Sequence, residues 1–469
     1  MPLILGTNSI KDTGYEVANS LRFNDGSTDN LSKSFGASNR RTFTWSAWIK
    51  RGDQSANQSL FSARTDSSNY ATIRIESNGK FHIFDIATSF QYQIKTNRVL
   101  RDNSAWYHLV VAFDSTQGTS SNRIKMYVNG QQETSLAESS YPSENYQSFF
   151  NNNLTHYVGL GGNLGDAYDG YMAEVVFIDG TALDPTSFGE FDEDSPTIWK
   201  PKNVSGLTFG TNGFHLDFEN ASSLGADVSG NGNNFTVNNL TSIDQSTDTC
   251  TNNFCTFNPL SADEMTFSQG NLKVVTASNP RTDDNARGTM GVNSGKWYWE
   301  IKSSGAVTPA VIGICFDELK MGSDLSGLTG VYAIQNASGS YAYKRENGTT
   351  AETSGFPNPV NNDIINVAWD CDNAKLYIGI NGTYYNQAGS TGNPATGSNE
   401  TFSGIDMSHF WLPWLEARST NAQGEANFGG TQTFTISSGN ADANGYGNFE
   451  HAPPSGYYSL CTKNLAEFG

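Results

Sequence analysis

Charge is scarce in this chain. Only 16% of its residues are charged, against about 25% in ordinary soluble domains. Basic residues are scarcer still: 28 Lys and Arg face 47 Asp and Glu, a formal net charge of -19. No run gathers the Lys and Arg that neutralise a phosphate backbone, so nucleic acid is not an expected partner. Long apolar stretches are missing too. Nothing approaches the roughly 18 apolar residues of a membrane span, and no membrane insertion is expected. The opening MPLILGTNSIKD has no basic n-region and too short an apolar run for a secretion signal. Cysteine is rare: Cys250, Cys255, Cys315, Cys371 and Cys461 cannot all pair, which fits assembly in a reducing cytoplasm. Finally, no sustained 3.6-residue apolar period and no heptads occur, which argues against helical bundles and coiled-coil stalks.

What the chain has is strand material. It carries 47 glycines and 12% aromatics among abundant Asn, Ser and Thr, a mixture suited to short strands and polar turns. TFTWSAWIKR (42–51) alternates Phe43, Trp45, Ala47 and Ile49 against Thr44, Ser46 and Lys50, with Trp48 unexplained on the polar side. ATIRIESNGKFHIFD (71–85) predicts a hairpin at Asn78-Gly79, where a type I′ turn needs positive φ. WYHLVVAFD (106–114) reads as a central strand covered on both faces. IINVAWDCDNAKLYIGINGTYY (364–385) parallels VVAFD and IKMYVNG (110–130): an apolar strand ending in Ala–aromatic–Asp precedes a Lys-started strand ending in Asn-Gly. GKWYWEI (295–301) sends Trp297, Trp299 and Ile301 to one face, a core arrangement, and leaves Tyr298 as a surface aromatic. The fold class is all-β, with an N-terminal arm at 1–19, sandwiches at 20–192 and 263–469, and a turn-rich connector at 193–262.

Chemical motifs are few. GTMGVNSGKW (288–297) lacks the spacing and the Ser or Thr of a phosphate-binding loop. Glu190, Asp192 and Asp194 alternate in GEFDEDSP, the arrangement that would point carboxylates for glycoside cleavage one way on a strand, but they run into Ser195-Pro196, which breaks a central strand. The six histidines are scattered, with no HExxH. Calcium is the one cofactor with a signal: Asp25 and Asp29 in FNDGSTDN, and Asp166 and Asp169 in GDAYDGY, are candidate ligands at a sandwich rim.

The order LRFNDGSTDNL, FTWSAWIKR, FSAR, WYHLVVAFD, IKMYVNGQ, YVGLGG and DGYMAEVVFIDGTALDP resembles a laminin-G/pentraxin-like (concanavalin A-like) jelly roll over 20–192. LGADVSGNGNNFT, inside the connector, is similar to a DxSGNGN signature found near the start of such domains. From 263 onward GKWYWEIK, IGICF, SGSYAYKRENG, DIINVAWDCDNAKLYIGINGTYY and FWLPWLEAR resemble a SPRY (B30.2-like) domain. The resemblance implies two β-sandwiches that recognise partners through loops, and it makes Tyr341, Tyr343, Arg345, Tyr384 and Tyr385 candidate binding residues. The combination resembles virion proteins of tailed bacteriophages of marine type. That implies a non-enzymatic tail fibre or capsid appendage at the virion surface, assembled in the host cytoplasm. Its expected partners are other virion proteins and a host-surface glycan or protein. Trimers are usual for fibres, although no repeat in this chain would enforce one. The alternatives are a decoration protein without a receptor and a glycan hydrolase or lyase on the jelly roll.

Overall fold

A computed structural model describes residues 4, 11–52, 54–262, 265–276, 284–304, 310–319, 329–337, 339–417 and 422–469. Strand accounts for 46% and helix for 5%, and the protein is all-β. The chain forms two compact units, Thr13–Thr251 and Met1–Asp12 with Asn252–Gly469.

In the first unit, one sheet runs from Gln131–Gln132 through Ile124–Val128, Trp106–Asp114, Thr42–Arg51, Gly170–Asp179 and Ser20–Phe23 to Gln245–Ser246. The other runs from Leu136–Ser140 through Ser89–Val99, Lys80–Ala87, Asn69–Ile75, Gln58–Asp66, Thr155–Val158 and Asn30–Ser34 to Thr236–Asn238. Many sheet neighbours are distant in sequence, as in a jelly roll. Phe43, Trp45, Ala47 and Ile49 point between the sheets and share a core with Phe61, Ile73 and Ile83. Stacked rings thread this core, Phe43 on Phe113 at 4.7 Å and Phe61 on Phe150 at 5.3 Å.

The segment read as a connector differs from expectation: most of it completes the first sandwich. Phe214–Leu216 pairs with Gly170–Asp179, Thr236–Asn238 with Asn30–Ser34, and Gln245–Ser246 with Ser20–Phe23. Phe214, Leu216, Phe218, Leu224 and Phe235 fill its core. Strands of two or three residues are too short to show a period, so the sequence pattern hides them. The DxSGNGN stretch is a loop that closes on itself. Asp227 accepts from the backbone N–H of His215, Ser229 and Asn233, and the Asn231 and Asn233 amides both donate to Gly213 O.

The same segment explains Trp48. Alternation does put it on the outward face, but there it packs with Trp106 and Tyr171 of the flanking strands beneath Val17 and Trp199, which leaves Trp48 4% exposed. Lys50, on the same face, forms a buried ion pair with Asp248 at 2.7 Å, and Trp106 donates to the other Asp248 oxygen at 3.1 Å. Trp199 Nε1–H donates to His108 Nδ1, so His108 carries its proton on Nε2 and donates to Ser46 Oγ. The predicted arm also splits: Val17 packs in this cover, whereas Ile4 bridges to Met290 in the second unit.

In the second unit one sheet runs from Phe257–Ala262 through Asn285–Gly288, Trp411–Ala417, Ala310–Phe316, Val331–Gln335 and Tyr341–Glu346 to Thr349–Pro357. The other runs from Met265–Ser268 through Lys273–Thr276, Gln423–Asn427, Lys296–Ser304, Ile364–Asp370 and Lys375–Ile380 to Thr383–Tyr385. Trp297, Trp299 and Ile301 lie in the core with Ile314, Trp369 and Leu415. Tyr298 does not remain at the surface. It is fully buried against Tyr377, Tyr384, Phe449 and Tyr457, because the C-terminal segment folds over the outer face. Glu300 beside it is also fully buried, accepting from Tyr298 Oη and the backbone N–H groups of Glu450 and His451.

The Asn-Gly hairpins divide by geometry. Asn129-Gly130, Asn347-Gly348 and Asn381-Gly382 have positive φ at both residues, as a type I′ turn requires. At Asn78-Gly79 only Gly79 is left-handed, and Gly79 N–H bonds back to Glu76 O. The hairpin is present, but its turn is not type I′.

Candidate functional site

Of the five candidate binding residues, two stand open. Tyr341 and Tyr343 are 42% and 36% exposed, two residues apart on one strand and so on one face. Ala342 between them turns into the core. The partner strand leaves register beside them: Tyr341 faces Pro357 while Tyr343 faces Glu352. Such a bulge re-aims side chains at a sheet margin. Arg345 shares the face but lies 4% exposed, donating from Nε to Gln335 Oε1 at 3.0 Å and from Nη1 to Thr350 Oγ1 at 2.6 Å. It braces the strand beneath the tyrosines instead of presenting a free guanidinium. Tyr384 is 9% exposed and belongs to the aromatic layer over the outer sheet face; burial pushes its phenol well above the usual range. Tyr385 turns the other way and packs on Phe356, edge to face at 5.8 Å. Both are packing residues.

The four calcium candidates do not form a cation cage. Asp29 closes its own turn, accepting from Ser27 Oγ and Asn24 N–H. Asp166 pairs with Arg74 at 3.1 Å. Asp25 opens a short 3-10 turn, Asp25–Ser27, and Asp169 sits buried against Gly52, where a Cβ would meet its carboxylate. Calcium takes six to eight oxygens (about 2.4 Å away), and among the described residues no three acidic, His or Cys side chains converge to hold a metal. Two of the acids of GEFDEDSP share one cation: Glu190 and Asp192 both reach Lys200 Nζ, at 4.0 and 3.1 Å. Asp192 also accepts from the backbone N–H groups of Asp194 and Ser195.

A surface that the sequence reading missed lies on the outward face of the first unit's second sheet. Arg74 lies 4.8 Å over the Phe84 ring while pairing with Glu76 at 3.0 Å and with Asp166. Lys95 and His82 also reach Glu76, at 3.3 and 3.0 Å. Burial lowers His82 and keeps it neutral, with Nδ1–H donating to Glu76, and that bond, with the Arg74 and Lys95 charges, holds the Glu76 carboxyl well below its usual range. Phe90 packs edge to face on Phe84 at 5.5 Å and remains 48% exposed. Alternation in 71–85 does place Arg74, His82 and Phe84 on one face. The partner that exposes the patch, Phe90, sits on the next strand and carries no sequence signal.

Residues 25–186 match the concanavalin A-like lectin/glucanases superfamily. The matched span covers the central strands of the first sandwich. Among solved structures, the chain is similar to the PSpry domain of TRIM65 (14% identity, 37% of this chain and 91% of that one, TM-score 0.28). It is similar also to the SPRY domain of human HERC1 (14% identity, 38% and 99%, TM-score 0.28) and to a heptameric SAP-like pentraxin from Limulus polyphemus (16% identity, 36% and 80%, TM-score 0.28). These are likenesses of β-sandwich fold alone. No curated protein matches in sequence. Among the described residues no helix is long and apolar enough to cross a membrane.

Proposed function

We propose that this chain is a non-enzymatic recognition protein of a tailed-phage virion, a fibre or capsid-appendage component that binds a host-surface glycan or protein. The observation that carries the recognition reading is the pair Tyr341 and Tyr343, held outward from a strand braced by Arg345. Tyrosine brings large contact area with few rotatable bonds and a polar tip, and a braced strand presents it at low entropic cost. The superfamily matched by residues 25–186 holds lectins and glucanases alike and so supports a glycan as the ligand class, while the engagement of Asp192 in its own turn supports a role without bond cleavage. The virion setting rests on the resemblance of the combined domains and on the Asn-, Gly- and Thr-rich composition.

The test combines immunogold labelling of particles with binding of the purified chain to host cells. Labelled particles together with saturable cell binding support the proposal. Labelled particles without cell binding assign the chain to decoration. Release of reducing ends from host-envelope polysaccharide, lost in Glu190→Gln, would replace it with a hydrolase.

A further inference from the structure

A depression of about 280 Å³ opens on the outward face of the first unit's other sheet, the sheet opposite the one that carries Arg74 and Phe84. That volume lies near the lower end of the range for small-molecule sites, about 300–1,000 Å³. Its floor comes from two paired strands. Val110 stands opposite Tyr127 and Ala112 opposite Lys125, so Ala112, Lys125 and Tyr127 share the outward face. The Tyr127 ring is half-buried and rests on the outer apolar cluster of Val110, Val176 and Phe188. Leu183 adds an apolar wall.

The polar rim is held rigidly. Asp114 accepts from Thr116 N–H and Oγ1 and, at its other oxygen, from Gln117 Nε2 at 2.6 Å. Asp184 caps the short turn Pro185–Ser187 through Oδ1, which accepts from Thr186. Thr44 Oγ1 accepts from Leu183 N–H at 2.7 Å and fixes the wall to the sheet. Within that frame, several groups make no hydrogen bond or ion pair to other described residues: the Tyr127 hydroxyl, the Lys125 ammonium, the Asn122 amide and Asp184 Oδ2. Burial, and then the Asp184 charge, raises the Tyr127 phenol above its usual value, which keeps it a neutral donor.

The chemistry narrows the ligand. Two carboxylates against one ammonium do not favour an anion, and Asp114 has both oxygens engaged within the chain, so a bare cation finds one free carboxylate oxygen at Asp184. An apolar floor with an aromatic ring, ringed by a carboxylate, an amide, an ammonium and a phenol, matches a pyranose, which is apolar on its C–H face and edged with hydroxyls. We infer that this depression is a subsite for a single pyranose unit of a saccharide, with Tyr127 against the ring and Asp184, Asn122 and Lys125 on its hydroxyls. The inference deepens the recognition reading by naming a glycan and a second place to hold it.

Saturation-transfer difference NMR on the full chain, with the methyl glycosides of glucose, galactose, mannose and N-acetylglucosamine as probes, tests the site. At least one should show saturable transfer with a Kd near about 1 mM, about 4 kcal/mol of binding. Tyr127→Ala should abolish transfer. Asp184→Asn, which retains a good capping side chain and so the fold of the wall, should weaken it by at least about tenfold, or about 1.4 kcal/mol. No transfer from any of the four probes overturns the inference, as does transfer that is unchanged in both variants. Host-cell binding of the same variants separates the two readings. Cell binding by a chain that gives no transfer keeps recognition and removes this site. Tyr127-dependent transfer by a chain that ignores host cells keeps the site and removes the adhesin.

Discussion

Mild acid should loosen the first sandwich, because its interior holds two neutral histidines. Burial pushes His108 down to about 3, and His156, stacked 3.9 Å from Phe35, down to about 3 as well. A base with a depressed folded pKa gives stability that is complete above its unfolded value, near 6.5, and is lost as pH falls toward the folded one. Each histidine therefore removes about 1.4 kcal/mol for every unit below about pH 6.5. Asp85 acts in the opposite sense. Burial raises it to about 6, so its contribution is present at low pH and lost as pH rises through that value. At about pH 5 the histidines together lose about 4 kcal/mol and Asp85 returns about 1.4, leaving a net loss of about 3. Total stabilities are only about 5–15 kcal/mol. His82, lowered by burial, adds to the loss; His215, raised by its Glu174 hydrogen bond against the effect of burial, returns some of it. The assay is urea unfolding at about pH 7 and about pH 5, with hydrogen exchange of Thr42–Arg51 and Trp106–Asp114 peptides reading the first unit by itself. In His108→Gln the amide can accept from Trp199 and donate to Ser46, preserving both bonds without a titration. Its acid-induced loss should be smaller than that of the unmodified chain by about 2 kcal/mol. Equal losses in the two proteins would refute the reasoning.

Three further outcomes follow from the packing. Asp248→Asn removes the carboxylate that pairs with the buried Lys50 at 2.7 Å and should cost about 3–5 kcal/mol, whereas Lys50→Met combined with Asp248→Leu should recover part of it, less the lost acceptor of the Trp106 N–H; thermal melts of the three chains decide. Glu300→Leu strands the N–H groups of Glu450 and His451, at about 1–3 kcal/mol for each donor left unpaired; the Tyr298 hydroxyl keeps His451 O as an acceptor. Limited proteolysis should then cut within 428–457 first. Calcium and chelator should leave the melting temperature unchanged, since the Asp29 and Asp166 carboxylates are engaged within the chain, and a calcium-dependent rise would contradict the geometry.

How much was legible follows from what alternation encodes. It assigns a side chain to a face, and Phe43, Trp45, Ala47 and Ile49, like Trp297, Trp299 and Ile301, all turn inward as their spacing requires. It does not say whether the other face meets water. Trp48, Lys50, Tyr298 and Tyr384 all lie on faces covered by chain that is distant in sequence; Asp248, for instance, is 198 positions from its partner Lys50. Domain limits failed for a related reason. The strands that finish the first sandwich are two or three residues long and are specified by pairing, as at Val176 with His215, and not by pattern. Of the binding candidates, only Tyr341 and Tyr343 lie where strand alternation meets an open sheet face. The Tyr127 depression depends on a wall, 182–184, that follows a different strand in the chain, and single-segment reading does not join them.

The central claim is recognition through the exposed tyrosines. Its most direct measurement is the binding isotherm of the labelled full chain on host cells, beside that of Tyr341→Ala/Tyr343→Ala. Saturable binding weakened at least about tenfold by the double substitution, or about 1.4 kcal/mol, with an unchanged melting temperature, is the predicted result. Equal isotherms for the two proteins, or no saturable binding by either, would contradict it.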